Sequence, residues 1–382
     1  MVSASPLAGV TVVELGHNVA MPFGGQVLAD LGAEVIKVES PTGDAARAWP
    51  PFDEEGESAV FQALNRGKLG VTVDLEDEDE RRGLVDLILG RADVVVQNLR
   101  HGVVERFGLD ATTLLSRKPS LVYCNLAAYG AEGPMADRPG YDPLVQGFSG
   151  IMRVTGEPGR PPVRCGVSVN DVGSGLWSVI GILAALRDRD RTGQGGRVDL
   201  SLFETALNWM GIHAACYEVS GIVEPPQGSG APFAVPYQAF RTRDGWIMVA
   251  AANDRLWGRF CEAVGHTDWR DDPHFRTNAG RVANRHELVP LIEAVMKAAP
   301  TATWAERFDA AGVPSAPIQD IGEVMAHPQT EALDIVRRAR DGGIRTVGPA
   351  LSFDGERPHP LRRAPRLGQH VGDVFPRRRE GR

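Results

Sequence analysis

Asp171 is the residue whose type and setting most invite chemistry. It is the only acid between Arg164 and Leu186, and from Val172 to Leu186 the chain carries no charge at all. Such a run predicts a helix buried on most sides, with Asn170 or Asp171 in its first turn. A carboxylate there has two readings. As a cap it only accepts a backbone N–H; facing a ligand beside free N–H groups, it is a candidate nucleophile. Gly173 and Gly175 favour the second. Two glycines just past the acid weaken a helix by roughly 1 kcal/mol each relative to alanine, and they suit a place where something approaches the backbone closely. The apolar run is shorter than the ~20 residues of a membrane span.

The elements around it alternate. Gly9–Leu15 reads as a buried strand, Ala20–Leu31 as a helix, and Ala33–Val38 as a second strand ending at Glu39, which together make a βαβ unit. The turn Gly16-His-Asn-Val-Ala-Met-Pro22 lacks G-x-G-x-x-G. Without that pyrophosphate cradle, an acid after the second strand does not make a dinucleotide site, and a dehydrogenase is rejected. Further strands are expected at Val71–Leu75, Asp93–Gln97, Leu121–Asn125 and Arg197–Leu202. Helices are expected at Asp77–Leu89, near Ala111–Leu115, and as one long element from Glu204. The pattern predicts an α/β fold: an open parallel, Rossmann-like sheet, with ligands beyond the carboxyl ends of its strands. Asn98, Ala127–Tyr129 and Gly16–Val19 lie just past such ends.

Composition shifts at Pro225–Pro232. Tyr237–Arg241, the turn Asp244-Gly245 and Trp246–Ala251 then give a hairpin signal, which opens a smaller α+β domain. Its helices are expected near Asp254–Val264, Glu287–Ala298 and Thr303–Ala311. The division is 1–195 for the large domain, 196–224 for a linker helix, 225–320 for the small domain and 321–382 for a last segment rich in Arg, Pro and Gly.

At 382 residues, 43% hydrophobic and 24% charged, the chain has the make-up of a soluble globular protein. Its net charge of −8 argues against nucleic acid as a general partner, though not against a local basic pocket for a phosphate-bearing small molecule. The Arg377–Arg379 run reads as a solvated tail. Cys124, Cys165, Cys216 and Cys261 form no C-x-x-C pair, which excludes a zinc ribbon or a thioredoxin-type site and suits reduced thiols in a cytosol. The first residues show no secretion signal. The expectation is a cytoplasmic protein without metal, membrane or nucleic-acid partners.

An ordered set of short motifs adds to this. It comprises Leu31-Gly-Ala-Glu-Val-Ile-Lys-Val-Glu39 with Pro41, Gly43 and Asp44; Asn65-Arg-Gly-Lys68; Asn98-Leu-Arg-His-Gly102 with Glu105–Leu109; Tyr129-Gly130, Gly133-Pro134 and Gly140-Tyr-Asp142; Asp171-x-Gly-x-Gly175; Pro236-Tyr237; and Ala364-Pro-Arg-Leu-Gly368. Over nearly its whole length the chain resembles the class III CoA-transferases, the family of formyl-CoA and carnitine CoA-transferases. The resemblance implies that Asp171 attacks an acyl-CoA thioester, forming an anhydride and then an aspartyl-CoA thioester, with Asp142 as the acid beside it. CoA is then a substrate, and no cofactor is permanently bound.

Arg47, Arg66, Lys68, Arg100 and Arg106 fall on loops where the family binds CoA; Glu39 and Tyr141 stand beside them, and Asn98 and Leu99 match a pair facing pantetheine. Gly228, Ser229 and Gly230 match a glycine loop that covers the intermediate. The resemblance also implies an interlocked homodimer, with the segment from about Gly322 rejoining the large domain. Val19 stands where formyl-CoA transferases carry a glutamine that holds oxalyl, which favours a larger or less polar acyl group. The alternative is an α-methylacyl-CoA racemase or isomerase working by proton abstraction. There a histidine precedes the aspartate matching Asp142; here Tyr141, with a pKa ~10, makes a poor base.

Overall fold

In the computed structural model, which describes residues 5–359 and 362–375, the chain forms two compact units. One holds residues 1–151, 164–222 and 328–382; the other holds 152–163 and 223–327. The stretch 196–222 thus clusters with the sheet unit. The Arg377–Arg379 run lies outside the described residues.

The first unit is built on β1 (Thr11–Leu15), β2 (Glu34–Glu39), β3 (Leu69–Thr72), β4 (Val94–Gln97), β5 (Val122–Ala127) and β6 (Gly196–Ser201). All pair in parallel, in the order β3-β2-β1-β4-β5-β6. Helices α1 (Ala20–Asp30), α2 (Ala59–Asn65), α3 (Glu78–Arg91), α4 (Val103–Arg106), α5 (Ala111–Arg117), α6 (Asp142–Phe148), α8 (Val169–Thr192), α9 (Leu202–Trp209) and α10 (Gly211–Ser220) connect and follow them, and α7 (Ile151–Val154) has all but its first residue in the second unit. Strands β1, β2 and β4 are rich in Val and Ile because both faces are covered, while edge strand β6 alternates Val198 and Leu200 with Arg197 and Asp199. One face packs Val12, Val35, Val94 and Val122 under α1 and α8; the other packs Val13, Ile36, Val95 and Tyr123 under α3 and α5. The third strand starts two residues earlier than its apolar run suggests, since β2 pairs it from Leu69.

Three differences concern α8 and its neighbours. The expected long helix from Glu204 is two helices, broken at Met210. Helix α8, at 24 residues, is long and apolar enough to cross a membrane by length and composition, which the shorter uncharged run does not reveal; it packs on α1, β5, β6 and α9. Nor is it buried on most sides. Gly173, Ser174, Gly175, Ser178 and Ile182 are buried, while Trp177 is 40% and Ile180 54% exposed. Leu176 and Leu183 continue that open face, and α10 has no buried residue.

The glycines have a packing reason. A Cβ on Gly173 would stand 2.6 Å from the Trp209 ring, and one on Gly175 2.7 Å from the Ala20 carbonyl oxygen. What approaches their backbone is α9 and α1, not a ligand.

The second unit contains the antiparallel sheet β7 (Tyr237–Arg241), β8 (Trp246–Ala250) and β9 (Ser315–Pro317), with α11 (Asp254–Val264), α12 (Asp268–Asp271), α13 (Asn278–Ala283), α14 (Arg285–Met296) and α15 (Thr301–Ala311). Its core stacks Trp257 on Phe260 and Phe260 on Phe308. The last segment holds more regular structure than its composition suggests. An antiparallel hairpin, β10 (Val336–Ala339) and β11 (Gly342–Val347), turns there, and His370 bonds Gly70 at the β3 edge through both its backbone N–H and its Nδ1.

Candidate active site

The loops following β1, β4 and β5 surround a cavity of about 730 Å³. It lies where the strand order reverses between β1 and β4, the place where open α/β sheets take ligands. Its volume suits a small-molecule substrate. Asp171, Asp142, Val19, Asn98, Leu99, Arg100 and Tyr141 all line it.

Asp171 stands in the first turn of α8 but does not cap it. Ser168 is the N-cap residue and makes no side-chain cap bond. Among the described residues nothing donates to the Asp171 carboxylate. Burial, and after it the charge of Asp142, pushes its pKa up to about 7. The carboxylate is therefore poised near neutrality rather than fully ionised. Asp142, at the start of α6, is held firmly: it accepts the Asn170 N–H at 2.8 Å and Gln146 Nε2 at 2.6 Å. Gln146 accepts the Cys165 N–H at 2.8 Å, tying the approach to α8 to α6.

The loop after β1 is clamped from beneath. His17 donates its N–H to Asn98 Oδ1 at 2.9 Å, and Asn98 Nδ2 donates to the His17 carbonyl at 3.0 Å. Asn18 sits at φ +63° and donates its N–H to Asp44 Oδ1 at 3.1 Å. Lys37 Nζ donates to the Gly16 carbonyl at 2.8 Å and to Asp44 Oδ2 at 2.9 Å. Helix α1 follows with Val19 at its N-cap, which supplies no side-chain acceptor, so the first-turn N–H groups are left uncapped by side chains.

Several expected CoA contacts have other partners. Lys68 is fully buried, bonded to Glu14, Asn65 and the Pro22 carbonyl, and burial lowers its pKa to about 8. Arg66 pairs with buried Asp30 at 2.6 Å. Arg47 lies over the Phe61 ring at 3.7 Å and bonds Glu39 through Nε and a terminal nitrogen, at 2.8 and 2.7 Å. The physical reason is common to all: a charge drawn into a dry interior needs an opposite charge there. Glu39, Arg47, Arg66 and Lys68 thus hold the scaffold under the cavity and do not line it. Arg106 forms an exposed pair with Glu76 at 2.7 Å, also off the lining. Gly228, Ser229 and Gly230 belong to the second unit, where Gly228 N–H bonds the Gly156 carbonyl and Ser229 Oγ accepts the Ala239 N–H.

The structure adds residues that sequence reasoning did not single out. His17, Gln97, His101, Arg138 and Arg197 line the cavity, and Gln146 and Asn170 steady Asp142. His17 had a local signal, its place in the Gly16–Val19 turn just past a strand end, and Gln146 had another, the one-turn spacing from Asp142 on a helix.

Fold and site define an open-sheet α/β protein with a buried carboxylate, Asp142, and a half-buried one, Asp171, at its ligand crevice. Residues 7–371 match the model of CoA-transferase family III. A succinate–glutarate CoA-transferase from Agrobacterium fabrum is 37% identical, covering 97% of this chain and 95% of that protein. An acetyl-CoA:oxalate CoA-transferase from Acetobacter aceti is 34% identical over 95% and 93%. The crystal structure of a CaiB/BaiF family protein from Brucella suis superposes with a TM-score of 0.89 at 37% identity, covering 97% of this chain and 99% of that one. The chain belongs to CoA-transferase family III.

Proposed function

We propose that this protein moves CoA from an acyl-CoA donor to a carboxylic acid acceptor, with Asp171 as the nucleophile. The Asp171 carboxylate attacks the thioester carbonyl and CoA thiolate leaves, giving a mixed anhydride. The thiolate then attacks the aspartyl carbonyl, which releases the donor acid and leaves an aspartyl-CoA thioester. The acceptor carboxylate attacks that thioester and expels the thiolate, which finally takes the acceptor's acyl group and frees Asp171.

The observation that carries this is a carboxylate to which no described residue donates, on the wall of a cavity of about 730 Å³, with its pKa raised to about 7. It ionises at neutral pH yet has few partners to blunt it. The first-turn N–H groups of α1, uncapped by side chains, support donors for the oxyanions, whereas the Asn170 N–H at the start of α8 is taken by Asp142. Asn98 and Leu99 present the wall for the pantetheine arm. Arg138, on the lining, and Arg106, whose exposed pair with Glu76 is worth little, offer cations to the phosphates. CoA enters as substrate, with no resident cofactor, in a cytoplasmic enzyme. The open apolar face of α8 and α10 supports a homodimer, in which the Gly228–Gly230 loop of a second copy is the candidate cover for the intermediate.

Hydroxylamine trapping after mixing with an acyl-CoA tests the chemistry. A transferase yields a hydroxamate at Asp171, found by mass spectrometry. Exchange of the α-hydrogen of the acyl-CoA with deuterated water, with Asp171 unmodified, would instead establish the racemase reading.

A further inference from the structure

His17 lines the cavity with Asp171 but has no part in the transfer chemistry above. Its backbone is fixed on both sides by Asn98, and the next residue is held in the left-handed region by Asp44. The ring is therefore carried on a rigid support. Among the described residues nothing bonds the ring: Nδ1 is buried without a hydrogen-bond partner there, and the other ring nitrogen has none either. An unpaired buried nitrogen costs stability that an apolar side chain of similar size would avoid. The half-buried residue leaves the Nε2 edge as the part of the ring open to the cavity.

The charges near it are arranged for an anion. Lys37 and Asp44, on the buried side, are paired with each other at 2.9 Å. Arg100 lines the cavity, its charge reaches the imidazole, and it has no ion-pair partner among the described residues. Burial holds the ring below its ordinary pKa, with Lys37 and Arg100 acting in the same direction and Asp44 against. At neutral pH it is an uncharged donor beside a free cation. Asp171 and Asp142 repel a second carboxylate from their own end of the cavity.

We propose that His17 is a specificity-determining residue whose Nε2–H receives the far carboxylate of a dicarboxylic acid while the near carboxylate exchanges CoA at Asp171. The inference rests on the transferase reading of Asp171.

The test compares α,ω-dicarboxylates from malonate to adipate with the monocarboxylate of the same chain length as CoA acceptors. It uses the full-length native protein, His17→Leu and His17→Gln. The native protein favours one dicarboxylate over its monocarboxylate partner. In His17→Leu the kcat/KM ratio of that pair falls at least tenfold, chiefly through KM for the dicarboxylate. His17→Gln, whose amide reaches about as far as Nε2, keeps more of the ratio than His17→Leu. A ratio unmoved in His17→Leu, or equal loss toward both acids, overturns the inference alone, provided the native protein forms the Asp171 hydroxamate. Absence of that hydroxamate overturns the transferase reading, and this inference with it.

Discussion

Replacing Asp142 by asparagine probes the electrostatics of the carboxylate pair. Asparagine keeps an oxygen for the Asn170 N–H, but its NH₂ faces Gln146 Nε2, and the Gln146 amide is held in place by the Cys165 N–H; one hydrogen bond is lost with the charge. Two unit charges ~6 Å apart repel by roughly 3 kcal/mol at an effective dielectric of about 20. Water entering the cavity trims that figure. At about 1.4 kcal/mol per pH unit, the Asp171 pKa falls by about one to two units. It stays above the ordinary aspartate value, because burial, the larger cause of its elevation, remains. Only the ionised carboxylate attacks a thioester, so kcat/KM rises with pH through this pKa. The native enzyme has its acid limb near 7, and Asp142→Asn has it one to two units lower. The assay is single-turnover consumption of acyl-CoA by excess enzyme from about pH 5 to 9. The midpoint is read independently of the plateau, which the variant lowers too if Asp142 touches substrate. A midpoint that stays or rises in Asp142→Asn refutes the reasoning, as does a flat native profile.

Asp171→Asn removes turnover and keeps CoA affinity within a few-fold by calorimetry. It also stabilises the fold at high pH. A carboxyl whose folded pKa is raised loses stability as pH climbs from its unfolded value through about 7, so the gain is about 1–3 kcal/mol at pH 8 and vanishes below about pH 4 in urea titrations. Asp44→Ala leaves buried Lys37 with Glu14 and the Gly16 carbonyl as its remaining partners and frees the Asn18 N–H, costing about 1–3 kcal/mol in the same titrations. Gly175→Ala drives a methyl against the Ala20 carbonyl and costs about 1–3 kcal/mol, read as a lower midpoint with unchanged slope. Light scattering finds a dimer for the native chain and a monomer for Trp177→Asp with Ile180→Asp; a native monomer rejects the dimer proposal.

The sequence by itself determined the parallel sheet, the succession of six strands with α1, α3, α5 and α8 among them, the acid at the head of α8 and, through its motifs, the family; helices α2, α4, α6 and α7 it did not show. The features it did show are local properties. Valine-rich runs, turn residues and the spacing of an acid from an apolar stretch are legible wherever they occur, because strand and helix periods act over a few residues. Only the tertiary structure decided which charges serve the ligand and which serve the fold. Arg47, Arg66 and Lys68 look the same in sequence as Arg100 and Arg138. The first three are committed to Glu39, Asp30 and Glu14, acids on other elements, whereas Arg100 and Arg138 are left on the cavity wall. The glycines of α8 were misread for the same reason, since what crowds them comes from α1 and α9. Pairing and close approach depend on distances across the fold, and burial multiplies their electrostatic consequences: it raises Asp171 to about 7 and forces the lysines beneath it to find partners.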